Sequence, residues 1–126
     1  MQPIYLFNLA SQHNRWLSVR QAAIAGNIAN ANTPGFKAQD VAPFETVLDA
    51  TQLTMTATQP GHITPAPANV PAPEVRVHKP WEVMHSGNSV SLEQELLKAG
   101  EVNRAYALDT SMVKAFHRML LTSVKG

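Results

Sequence analysis

Leu9, Trp16 and Ala23 recur every seven residues, and Ala10, Leu17 and Ile24 recur beside them. Ile28 extends the same stripe. Apolar positions at that spacing share one face of an α-helix. The pattern predicts a helix from Ile4 to about Asn30, although His13, Arg20 and Asn27 interrupt the stripe. Asn30-Ala-Asn-Thr-Pro-Gly35 ends it, because Asn tolerates a left-handed C-cap and a residue before proline avoids helical geometry. Pro34-Gly35 suits the centre of a type II turn. A second stripe holds Leu92, Ala99, Tyr106, Val113 and Leu120 in one heptad column, widened by Leu96, Val102, Met112, Phe116, Met119 and Val124. Ser91 followed by Gln94 reads as a capping box, and Glu93 and Glu95 suit the positive end of the helix dipole. A helix from Leu92 to Lys125 would be about 50 Å long at 1.5 Å per residue.

Between the stripes the pattern changes. Eight of the nine prolines lie between Pro34 and Pro80, so long helices are confined to the two ends. Leu53–Thr58 and Glu74–His78 alternate with period two and could each form a short strand. Pro60 to Pro73 is rich in Pro, Ala and Thr, with almost no apolar bulk, and reads as extended or disordered. The expected fold is therefore mainly α. Long terminal helices pair as a coiled-coil-like core, around a Pro-rich, partly disordered middle that could hold short strands. The expected divisions are 1–33, 34–88 and 89–126.

Composition removes most function classes. The 126 residues suffice for one ordinary domain. Ten Lys and Arg against nine Asp and Glu leave a net charge of +1, which disfavours nucleic acid as a partner. The absence of cysteine excludes disulfides, thiol catalysis and a Cys–zinc site. No apolar run approaches the ~20 residues needed to cross a bilayer, so no direct membrane insertion is expected. No ordinary cleaved leader is visible, since Asn8 interrupts the first apolar run and no Lys or Arg precedes it. No two histidines have the i, i+4 spacing of a helical metal site. His78, Glu82 and His85 read as solvated loop residues, and His13 and His117 as packing or rim residues. Asp40, Glu45 and Asp49 have no nucleophile motif beside them, and no phosphate-binding glycine loop exists. No enzyme, cofactor or metal is expected.

What remains is a pair of apolar stripes with too little to cover them. Two helices bury only one face each against one another, and a pair of this size is marginal alone. An unpaired wide stripe marks a partner surface, so the chain reads as a helical assembly module.

Asn27–Lys37 reads NIANANTPGFK, followed by Ala38, Gln39 and Asp40. This run resembles the N-terminal signature of the bacterial flagellar axial proteins, the rod and hook family. The short chain, LTMTATQPGHIT at 53–64 and GNSVSLEQE at 87–95 resemble its short proximal-rod members. That family usually has Asp where this chain has Ser91, a change between two residues that cap helices.

The resemblance implies a structural subunit that polymerises helically, with itself and other rod and basal-body proteins, into a rod transmitting torque from motor to hook. It implies export, uncleaved, by the flagellar type III apparatus, and a place in the basal body, in a rod crossing the periplasm. Leu9, Trp16, Leu17, Ile24 and Ile28 would pack the first helix onto the second. Leu92, Leu96, Tyr106, Val113, Phe116 and Leu120 would face the first helix or neighbouring subunits. Asn27 and Asn30, with Asn32 in the same motif, would satisfy backbone near the helix end. Pro34 and Gly35 would turn the chain outward, and Phe36 would anchor the exit. A non-flagellar type III secreted helical component and a small cytoplasmic helical adaptor are the other classes that fit the stripes.

Overall fold

The computed structural model describes residues 3–50 and 73–126. Five elements follow in order: α1 Pro3–Ala29, β1 Gln39–Val41, α2 Phe44–Ala50, β2 Val75–Val77 and α3 Leu92–Lys125. The fold is mainly helical, with long helices near both ends, as the apolar periodicity predicts. Antiparallel packing of α1 on α3 is visible in the cross-contacts. Phe7 meets Phe116 edge-on at 5.7 Å, His13 meets Asp109, Arg20 meets Glu101, and Asn27 meets Glu95.

The core sits toward one end of this hairpin, hereafter its base. Trp16, Leu17 and Ile24 of α1 pack with Val102 of α3, Val41 of β1 and Val47 of α2. The middle segment therefore supplies more cover than its composition implies. Small residues let its backbone approach closely: Ala38 and Ala42 are buried. The indole Nε1–H of Trp16 donates to Ala42 O at 2.7 Å, and Phe44 packs on Trp16 at 5.9 Å between centroids. Trp16 thus closes the edge of the core with its one polar atom satisfied, and Phe44 covers its ring.

β1 pairs antiparallel with β2, with Gln39 opposite Val77, Asp40 opposite Arg76 and Val41 opposite Val75. Alternation in residues 74–78 points to β2, but three residues are too few for β1 to show a period. α2 also has no sequence signature, lying between Pro43 and the end of the described run. The alternating stretch 53–58 and nearly all of the Pro-rich stretch 60–73 lie outside the described residues.

One expected packing position, that of Ile28, is corrected. Ile28 is exposed, because Asn27 takes the neighbouring inward position. Leu92, Leu96 and Tyr106, expected to face either α1 or neighbouring subunits, are more than half exposed, at 52%, 58% and 57%. The α1-facing line of α3 runs instead through Glu95, Lys98, Val102 and Asp109 to Phe116. Leu9, Val113, Phe116 and Leu120 are half-buried. Ser91 occupies the N-cap of α3, but its hydroxyl makes no capping bond. The capping box is absent as well: Gln94 is buried and its amide contacts His78 Nε2 at 3.0 Å.

Leu17→Ala should cost about 2–5 kcal/mol, since the side chain is only 2% exposed and its neighbours cannot close the void. Leu96→Ala should change stability by less than about 0.5 kcal/mol. Urea unfolding of the isolated chain checks both.

Candidate functional site

The exit from α1 is a closed hydrogen-bond circuit. Asn30 Nδ2 donates back to Gly26 O at 2.9 Å, covering a carbonyl of the last helical turn. Thr33 Oγ1 donates to Asn30 Oδ1 at 3.1 Å. Residues 33–36 then form a turn, with Phe36 N–H donating to Thr33 O at 3.2 Å and Gly35 at φ 74°. A residue with a Cβ is strained at that φ, which is why glycine follows Pro34 here. Asn32 and Pro34 are exposed, and Phe36 is half-buried.

The approach to α3 locks onto this turn. Asn88 is 1% exposed, and its Nδ2 donates to Asn30 O at 2.8 Å and Thr33 O at 2.7 Å. Its Oδ1 accepts from Val90 N–H at 2.8 Å. Ser89 N–H donates to Phe36 O at 3.0 Å, and Ala38 N–H donates to Ser89 Oγ at 2.8 Å. Asn88 and Ser89 carry no distinguishing signal in the sequence, where a polar pair before a helix looks like an ordinary cap.

Asn27 satisfies backbone groups, those of β1 and not those of its own helix. It does not cover the end of α1. Its amide acts as a strand edge for β1: Nδ2 donates to Gln39 O at 2.7 Å and Oδ1 accepts from Gln39 N–H at 2.9 Å. The second Nδ2 hydrogen reaches Glu95 Oε2 at 3.1 Å. Glu95 is wholly buried, a costly place for a carboxylate unless it is paired and hydrogen-bonded. Lys98 Nζ answers it at 3.2 Å and also reaches Asp40 Oδ2 at 3.2 Å. Arg20 Nε meets Asp40 Oδ1 at 3.3 Å, lies over the Trp16 ring at 5.4 Å, and its NH1 meets Glu101 at 3.4 Å. Three carboxylates and two cations thus join α1, β1 and α3 at the base. Burial raises the Asp40 pKa, but the Val41 N–H, Arg20 and Lys98 outweigh it, and the carboxyl is held below its ordinary range.

The distal half of the hairpin has the opposite character. No residue of α3 beyond Val102 is fully buried. Leu108, Met112, Met119 and Leu121 are all exposed, and so is Tyr5 on α1. Leu6, Leu9, Phe44, Met112 and Val113 line an apolar hollow of about 180 Å³, with His13 and Asp109 also at its wall. Among the described residues no cluster of acidic or histidine side chains could hold a metal ion, and no helix is long and apolar enough to cross a membrane.

Lys98→Met should destabilise the fold by roughly 3–5 kcal/mol, because it leaves Glu95 buried without a countercharge. The Asp40 contribution has a definite pH window. Its folded pKa lies below the ordinary 3.8, so the stabilisation is complete above that value and is lost as pH falls through the folded one. Asp40→Asn should therefore flatten the acid limb of a stability–pH curve, measured by urea unfolding at successive pH values.

The geometry is that of a scaffold with a locked base and an open apolar half. A family described as flagella basal body rod protein matches residues 16–37, the run that contains the α1 exit. The flagellar basal body rod protein FlgB of Agrobacterium fabrum is 50% identical over 129 aligned residues, covering 99% of this chain and 96% of that protein. FlgB of Escherichia coli is 33% identical over 102 residues, covering 73% of this chain and 72% of that one. FlgB of Salmonella typhimurium is 24% identical over 116 residues, covering 85% and 83%. Near-complete coverage at half identity is decisive: the chain belongs to the FlgB family of flagellar basal body rod proteins.

Proposed function

We propose that this chain polymerises helically in the proximal rod, beside copies of itself and other rod proteins, and carries torque from motor to hook. It is a structural component of the flagellar basal body rod and not an enzyme. Membership of the family sets aside a non-flagellar secreted component and a cytoplasmic adaptor. In the proposed route the chain leaves uncleaved through the type III export apparatus and joins a rod that crosses the periplasm.

The observation that carries the reading is the distribution of apolar groups around α3. At 100° per residue, Leu92, Leu96 and Leu121 fall on one flank of the α1-facing seam. Leu97, Leu108 and Met119 fall on the other flank. A helix that is apolar on three sides is made to be surrounded, and α1 surrounds only one of them. Two unlike flanks support heterologous contacts, which generate open helical arrays when the rotation does not close. The roles proposed at the sequence level divide accordingly. Trp16, Leu17 and Ile24 hold the subunit together. Leu92, Leu96 and Tyr106 contact neighbours, while the half-buried Leu9, Val113, Phe116 and Leu120 do some of both.

Substituting Leu96, Tyr106 and Leu108 together by Ser tests this reading. All three side chains are exposed, so the isolated subunit should unfold at nearly the wild-type urea concentration. Cells carrying the variant should still export it, yet electron microscopy of isolated basal bodies should show no rods. Normal rods containing the variant would contradict the assignment.

A further inference from the structure

The two edges of the small β-ribbon are treated differently. Asp40 and Arg76 form the ladder pair, because Ala42 N–H donates to Glu74 O and His78 N–H donates to Ala38 O on either side of them. In an antiparallel ladder the adjacent residues then point their backbone groups outward. On β1 these outward groups belong to Gln39 and Val41, and side chains meet three of them. Asn27 takes both groups of Gln39, and Asp40 Oδ1 accepts from Val41 N–H. On β2 they belong to Val75 and Val77, and among the described residues nothing meets them. Both valines are also exposed, at 44% and 67%. An open edge carrying apolar side chains is a template for another strand.

The sequence of that edge is complementary to itself. Around Val75 the order is Pro73-Glu74-Val75-Arg76-Val77. Laid antiparallel on a second copy with Val75 opposite Val75, it sets Glu74 opposite Arg76 on both sides of the dyad. Each Val75 N–H then reaches the other Val75 carbonyl, and each Val77 N–H reaches the carbonyl of Pro73, whose missing N–H loses one bond on each side. A slip of two residues, the next register in which the outward groups still face one another, would put Arg76 opposite Arg76, which is unfavourable. Glu74 and Arg76 are paired within the chain on this face and are well exposed, so their charges stand available at the edge. The hydrogen bond and charge of Arg76 hold the Glu74 carboxyl below its ordinary range, so it is ionised at neutral pH.

We propose that β2 pairs antiparallel with β2 of a second copy, Val75 opposite Val75 and Glu74 opposite Arg76, to give a two-fold dimer with a continuous four-stranded ribbon. Such a contact is isologous, whereas a polar filament is built from heterologous ones. On the reading above, the dimer is thus a form the chain takes outside the rod, and its edge must open before the subunit joins.

The experiment is light scattering on the full-length purified chain over a concentration series, with circular dichroism to confirm folding. Wild type should pass from monomer to dimer, with a dissociation constant that rises with salt. Glu74→Arg alone and Arg76→Glu alone each place like charges across the edge and should weaken the dimer by about tenfold or more. An equimolar mixture of these two variants restores Glu–Arg pairs on both sides of the dyad and should form a heterodimer at least as tight as wild type. A wild-type chain that stays monomeric overturns the proposal. So does association that neither variant weakens, which would place the contact on the helix flanks, and so does a mixture that fails to recombine. None of these outcomes bears on whether rods form in cells, so the dimer and the rod assignment fail separately.

Discussion

Glu95 is a carboxylate with no exposure to water, and the base of the molecule is arranged around that fact. A buried charge is tolerated only when its neighbours neutralise it and fill its lone pairs. Lys98 supplies the charge from the same helix, and Asn27 supplies a hydrogen bond from α1. Lys98 is shared with Asp40 of β1, and Asp40 is shared with Arg20 of α1. Helix pairing and the placement of the first strand are therefore one event. A slip of α3 along α1 would separate Glu95 from Asn27, so the register is specified by polar contacts where a purely apolar seam would tolerate sliding. Fixing register is the best-attested use of buried polar groups.

That arrangement divides the subunit along its length. At the base, apolar side chains, the ion network and the turn–Asn88 circuit coincide, and nearly every buried polar atom has a partner; Asn14 Oδ1 is the exception among the described residues. Farther out, α1 and α3 touch through half-buried contacts such as Phe7 on Phe116, and the remaining faces carry leucine and methionine in solvent. A rod subunit needs both properties. In the proposed assembly the base would present neighbours with a defined shape, and the outer half would leave the apolar area for neighbours to bury.

The two long helices were legible in the sequence because their heptad columns are long enough to average over His13, Arg20 and Asn27. Which face of α3 turns to α1 was not legible. The column Leu92, Ala99, Tyr106 is more apolar than the line through Glu95 and Lys98, yet Ala99 packs on the core while Leu92 and Tyr106 are exposed, so hydrophobicity alone does not select the seam. Buried charges defeat that rule, since their partners are distant in sequence: Asn27 and Glu95 are 68 residues apart. The turn at Pro34-Gly35 was readable because a positive φ demands a particular residue there. Asn88 was not readable, because its acceptors are backbone carbonyls of a turn more than fifty residues earlier. β1 and α2 are short, and they form because the core of α1 and α3 offers Trp16 and its surroundings to cover.

The central claim is that stability is concentrated at the base and that the outer half waits for neighbours. Hydrogen exchange on the monomeric subunit, resolved by residue, measures this directly. The account expects strong protection in the second half of α1, around Leu17 to Asn27, and in α3 from Glu95 to about Ala105. It expects protection at least about tenfold weaker over residues 5–10 and beyond residue 112, where none of the described side chains is fully buried. Uniform strong protection along the whole of both helices in a monomer would contradict it.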